Sequence, residues 1–130
     1  MRSFEVADAR ILVAVDCELP PGGPQYEFSA LLDTGAQITS ISRTVVEALA
    51  IRPVGTMPIV YANGRRQVHD AFWLRVGIHG LPHVRGAAYV VHMEPGSPDY
   101  EVILGLDILV HYDIAIKGGI CTIGAPAPAC

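Results

Sequence analysis

Short apolar stretches, broken at close intervals by turn residues, constrain this chain most. Ile11–Leu12–Val13–Ala14–Val15 is an apolar run with strand character, and Pro20–Pro21–Gly22–Gly23–Pro24 is a turn cluster. Residues 26–32 then return as a second strand, so the spacing predicts a hairpin. Residues 57–61 and 65–76 flank Asn63–Gly64, the strongest short-range hairpin signal. Further strands are expected at 84–91, at Val102–Ile103–Leu104, at Ile114–Ala115–Ile116 and at 120–123, the last two joined at Gly118–Gly119. A turn-rich loop is expected at 94–99. Ser42 can cap a short helix over 43–50, with Val45, Val46 and Leu49 on one face and Pro53 as its stop. One or two helical turns are expected at 106–111. The chain therefore reads as all-β with one or two short helices: one domain over residues 1–124 and a disordered tail over 125–130.

Composition narrows the classes. Hydrophobic residues make up 51% of the 130 and charged residues 17%, which excludes an intrinsically disordered chain. So much apolar surface exceeds what one small core hides, and this points to an obligate oligomer. The net charge is −4 and the 9 basic residues are scattered, so no nucleic-acid partner is expected. No apolar run approaches the roughly 20 residues that span a bilayer, so no membrane segment is expected. The first ten residues carry Glu5 and Asp8 and lack the apolar stretch of a signal peptide, so the expected location is cytoplasmic.

Other chemistry finds little support. Cys17, Cys121 and Cys130 have no close spacing, which argues against a disulfide framework and against zinc. Cys17 and Cys121 read as buried small apolar residues. His79 and His83 are separated by Gly80 and Pro82, which oppose the helix that would align them. His69–Asp70 has no companion ligand motif. These histidines read as solvated or loop residues, and no metal or other cofactor is expected. Phe72 and Trp73 read as packing residues. Gly22–Gly23 lacks the helix and Lys-Ser/Thr of a phosphate loop.

The most informative segment is Ala30–Leu31–Leu32–Asp33–Thr34–Gly35–Ala36, continuing to Thr39. Two aliphatic residues carry the chain through a core, and a carboxylate then appears at the strand end. Gly35 allows a tight turn that a side chain would obstruct. Alone, Asp-Thr-Gly describes many plain turns. The later segment Val102–Ile103–Leu104–Gly105–Leu106–Asp107–Ile108–Leu109 changes its meaning. Together, in this order, the two segments resemble the retropepsin-like aspartic proteases, the single-domain family of retroviral proteases and their bacterial relatives. That family pairs aliphatic-aliphatic-Asp-Thr/Ser-Gly-Ala with a later aliphatic-aliphatic-Gly-x-Asp/Asn-x-Leu. Ala62–Asn63–Gly64 lies between them, where the family has its flap.

The resemblance implies one half of a C2 homodimer in which the Asp33 carboxyls of two copies form a single site. Thr34 would hydrogen-bond across to the partner loop, and Gly35 would offer its carbonyl to substrate backbone. Ala36 and Gln37 would line the site beside the dyad. Tyr61, Ala62, Asn63 and Gly64 would form the flap over an extended peptide, and Ile103 would contribute to a side-chain pocket. Thr39, Gly105 and Asp107 would brace the catalytic loop, Asp107 as the cap of the short helix. Retroviral members commonly carry Asp at the position of Gln37 and Arg at that of Leu106; here both are neutral, a coordinated change. The implied function is a homodimeric aspartic endopeptidase. The alternatives are a non-catalytic peptide-binding or dimerisation module on the same fold and, more weakly, a hydrolase using Cys17 or the histidines.

Overall fold

The computed structural model describes residues 1–19, 23–81, 88–92 and 99–125, with the backbone alone considered over 88–92. Its elements run β1 (Arg2–Ala7), β2 (Arg10–Glu18), β3 (Gln25–Leu32), β4 (Ser40–Ile41), α1 (Arg43–Leu49), β5 (Gly55–Val60) and β6 (Arg66–Ile78). They continue as β7 (Ala88–His92), β8 (Val102–Leu104), α2 (Leu106–Leu109), β9 (Asp113–Lys117) and β10 (Ile120–Gly124). The all-β expectation with short helices holds. The expected strand over 84–91 appears as β7, its first residues lying outside the described ones, as do most of the 94–99 loop and all of the tail beyond Ala125. Among the described residues, no helix is long and apolar enough to cross a membrane.

The strands follow one order, β5-β6-β7-β4-β8-β3-β2-β1-β10-β9, with β6 also pairing β2. The expected β2–β3 hairpin is antiparallel, with Val13 opposite Ala30 and Val15 opposite Phe28. Val13, Val15 and Cys17 alternate into the core, where they join Val45 and Leu49 of α1, Leu74, Val76 and Ile78 of β6, and Cys121 and Ile123 of β10. Each such side chain contributes about 1.5–3 kcal/mol by leaving water. The far end of β2 is covered on both faces, because Asp16 and Glu18 are buried as well. Buried carboxylates need partners. Glu18 has Arg75 at 2.7 Å and Asp16 has His79 at 2.8 Å.

Local expectations are corrected at α1 and at the β5–β6 turn, and one strand is added. The N-terminal residues form a strand, β1, which pairs β2 and β10. Its turn to β2 is Asp8–Ala9, with φ of 54° and 59° and no glycine to announce it. Ser42 does occupy the N-cap of α1, but its hydroxyl makes no cap bond and is buried without a hydrogen-bond partner. The helix ends before Pro53 is reached, because Ala50 turns left-handed at φ 51° and its N–H closes on Glu47 and Val46 carbonyls. Asn63–Gly64 does mark a hairpin, but Val60 pairs Arg66, so the turn is the wider loop 61–65. In it Arg65 N–H donates to the Asn63 side chain, and Gly64 sits at φ 81°.

Candidate active site

The two sequence motifs meet through a parallel strand pair. β3 and β8 align Ala30 with Val102, Leu31 with Ile103 and Leu32 with Leu104. β4 then pairs the other edge of β8, with Ser40 opposite Ile103. The chain from β3 to β4, residues 33–39, must therefore wrap around the end of β8 where α2 begins. That wrap is tight. A Cβ on Gly105 would lie 2.8 Å from the Ile38 carbonyl carbon and 2.9 Å from the Ala36 oxygen. No side chain fits there.

Hydrogen bonds close the wrap. Asp33 N–H donates to the Leu104 carbonyl (3.0 Å), Leu106 N–H to the Ala36 carbonyl (2.8 Å) and Asp107 N–H to the Gln37 carbonyl (3.2 Å). Thr39 is fully buried and makes three of these bonds. Its hydroxyl donates to Asp107 Oδ1 (2.7 Å) and accepts from Gly105 N–H (3.1 Å), while its own N–H donates to Asp107 Oδ2 (3.0 Å). Asp107 Oδ1 also receives Ile108 N–H at 2.9 Å. Asp107 is therefore a brace inside the first turn of α2, and not its cap: the N-cap position belongs to Gly105. Such charge-assisted bonds are worth about 1.5–3 kcal/mol each.

On this frame sits Asp33, half-buried, with Thr34 and Gly35 exposed beyond it. Gly35 N–H donates to Asp33 Oδ1 at 2.9 Å and so orients the carboxylate. A Cβ on Gly35 would stand 3.2 Å from that same oxygen. A side chain at Gly35 would thus press on the carboxylate itself. Ala36 is half-buried and Gln37 exposed in the same loop, and Ile103 is half-buried on β8 beside it. The loop presents one carboxylate, rigidly held, at an exposed edge of the chain. The structure thus brings together Asp33, Thr34, Gly35, Ala36, Gln37, Thr39, Ile103, Gly105 and Asp107.

Tyr61, Ala62, Asn63 and Gly64 lie apart, at the exposed end of the β5–β6 hairpin. Here the structure corrects the reading of His69. It is not solvated: it is a buried residue of β6, and its Nε2 lies 2.6 Å from the Tyr61 hydroxyl. Sequence reasoning missed this residue because Tyr61 and His69 are joined across a hairpin. Their common parity on paired strands was the available signal.

His79, expected as a solvated or loop residue, follows β6 in a turn but is not free. Its Nδ1 faces Asp16 at 2.8 Å and its Nε2 faces Glu27 at 3.2 Å. Among the described residues these three form the cluster whose ligand atoms lie close enough for a metal ion, within 4.8 Å of one another. Both ring nitrogens already face a carboxylate. His83 lies outside the described residues. The thiols do not favour nucleophilic chemistry. Burial, with Asp16 adding, pushes the Cys17 thiol up to about 12, and burial also raises Cys121. A nucleophilic cysteine needs the opposite shift.

Residues 24–111 match the family described as "gag-polyprotein putative aspartyl protease". No curated protein matches the sequence. Among solved structures, a retropepsin-like aspartic protease from Rickettsia conorii is similar at a TM-score of 0.64 and 12% identity, covering 97% of this chain and 92% of that one. The foamy viral protease-reverse transcriptase, solved with an RNA/DNA hybrid, is similar at a TM-score of 0.50 and 25% identity. That match covers 78% of this chain and 12% of the viral one. The matched span takes in both motifs and the loop they build around Asp33, and on that ground the chain belongs to the retropepsin-like aspartic protease family.

Proposed function

We propose that this protein is a homodimeric aspartic endopeptidase. One observation carries the reading: a single carboxylate, Asp33, held by Gly35 N–H on a braced loop whose tip is exposed. Hydrolysis of an amide by water needs a base for the water and an acid for the carbonyl oxygen. One carboxylate cannot be both at once, so a second copy must bring its own Asp33 to the same place. Exposed apolar side chains, Leu106 and Val110 at α2 and Ile116 and Ile120 on β9 and β10, support association. So does β9 as an end strand of the order.

Two carboxyls in contact do not both stay ionised, and the pair shares one proton. The ionised member takes a proton from water as its oxygen attacks the scissile carbonyl carbon. The protonated member gives its proton to the carbonyl oxygen. The resulting tetrahedral diol collapses as the first proton passes to the departing nitrogen and the second carboxyl, now ionised, takes a diol hydroxyl proton, which restores the one-proton pair. The titration belongs to the pair. In this reading Thr34 ties the two loops across the two-fold axis, and the Gly35 carbonyl accepts a substrate N–H. Ala36, Gln37 and Ile103 line the site, and residues 61–64 cover an extended peptide and exclude water.

Half a site per chain makes a direct test. Specific activity should fall on dilution through the dimer dissociation range, in step with dimer content by light scattering. Constant activity per chain from a confirmed monomer would contradict the reading. Peptide binding by a confirmed dimer without cleavage between about pH 3.5 and 7, the range of a proton-sharing carboxyl pair, would favour a binding module on the same fold.

A further inference from the structure

The end of the β5–β6 hairpin carries a single glycine, Gly64, between Tyr61 and Arg65, yet it has a side-chain anchor. Ile59 pairs Gln67 and Met57 pairs His69, so Tyr61, Gln67 and His69 share one face of the hairpin. The Tyr61 hydroxyl lies 2.6 Å from His69 Nε2 and 3.3 Å from Gln67 Oε1. The two rings meet edge to face, at 6.1 Å and 69°. One polarity satisfies all three groups: His69 Nε2–H donates to the Tyr61 oxygen, and the Tyr61 O–H donates to Gln67.

Tyr61 also defines the turn through its backbone. Its N–H donates to the Arg65 carbonyl (2.8 Å), and its carbonyl accepts from Gly64 N–H (2.9 Å). Fixing the Tyr61 side chain therefore fixes the turn relative to β6. Tyr61 is 42% exposed and His69 9%. An exposed tip residue is thus tied to a buried strand residue that stands back from the tip.

We infer that His69 is a positioning residue of the flap: through Tyr61 it latches the hairpin end into the shape that meets an extended peptide. The inference rests on the flap assignment made above. The latch replaces backbone freedom with a hydrogen bond, so peptide capture depends on a histidine that does not touch the peptide.

The test uses the full-length protein and two readouts. The first is amide hydrogen exchange at Gly64 and Arg65 by NMR, which needs no activity. The second is the split between KM and kcat on a peptide the wild type cleaves. Tyr61→Phe keeps the ring and removes the hydroxyl. It should speed tip exchange and raise KM by about three- to tenfold, the worth of one exposed hydrogen bond, with kcat little changed. His69→Phe should move both readouts the same way, by no more than Tyr61→Phe since the Tyr61–Gln67 contact remains, and the double variant should not exceed Tyr61→Phe, which already removes the His69 bond. His69→Gln, whose amide N–H can donate to Tyr61, should restore both readouts towards wild type. Unchanged tip exchange in Tyr61→Phe would overturn the latch. Faster exchange with unchanged KM would overturn the positioning role. Cleavage that persists in Asp33→Asn would fall on the proposed function instead, and the exchange data would still decide the latch.

Discussion

Around Gly105 the backbone at Ala36 and Ile38 comes so close that a methyl group has no room, whereas residues 61–65 are exposed, closed by a few turn bonds and tied back to β6 by one tyrosine hydroxyl. Both regions belong to the proposed site, but they are built to opposite specifications. The Asp33 loop must hold a carboxylate still, since positioning error in an acid–base pair is costly in rate. It is therefore tied by backbone bonds to Leu104 and α2 and by the bonds between buried Thr39 and half-buried Asp107. A covering hairpin must admit a peptide and then settle on it, so its end is held by few contacts.

The contrast predicts unequal responses to equal substitutions. Gly105→Ala should cost about 3 kcal/mol or more, since the clash is with backbone that cannot swing away. Gly64→Ala should cost only about 1–2 kcal/mol, since its Cβ would meet open space and the penalty is the positive φ alone. Denaturant midpoints of the two variants would measure the difference, and equal losses would break the comparison. Thr39→Val should cost about 1–3 kcal/mol, because Gly105 N–H and Asp107 lose a buried partner. Tyr61→Phe should cost less than about 1 kcal/mol of stability, while moving KM as described above.

Smaller effects sharpen the picture away from the site. Ala9→Gly should gain up to about 1 kcal/mol, because Ala9 holds φ 59° that glycine adopts freely. In alkali, stability should fall. The Cys17 thiol is pushed up to about 12 in the fold, so the unfolded chain releases its proton first as pH rises above about 9. The unfolded state then binds fewer protons than the native one, and the stability present below that pH is progressively lost. Tyr112, raised by burial, acts in the same direction. Unfolding midpoints from pH 8 to 11 should be steeper in the wild type than in Cys17→Ala. Parallel curves would show that the thiol ionises alike in both states, against a raised value in the fold.

How much of this was legible follows the same division. Asp33–Thr34–Gly35 and Gly105–Leu106–Asp107 could be read because a loop this crowded admits few residue types. Glycine at 105 is dictated by backbone at Ala36 and Ile38, and Thr39 by Asp107. The Gly118–Gly119 turn could be read for a similar reason, since both residues hold positive φ. The equivalent turn at Asp8–Ala9 uses residues with no such preference, and β1 was missed with it. Ser42 kept its position and lost its role, because burial left its hydroxyl no cap geometry. His69 was misread, and His79, which does lie in a turn, kept its partners hidden, for a common reason. Their partners, Tyr61 for one and Asp16 and Glu27 for the other, are supplied by strand pairing, and nothing in the adjoining residues marks them.

In the proposed reaction Asp33 is one half of an acid–base pair. Wild-type and Asp33→Asn proteins, confirmed as dimers on the same samples, should be incubated with a diverse peptide mixture from about pH 3.5 to 7 and the products read by mass spectrometry. Cleavage by the wild type that disappears in Asp33→Asn is the predicted result. Cleavage undiminished in Asp33→Asn, or none by the wild-type dimer anywhere in that range, would contradict it.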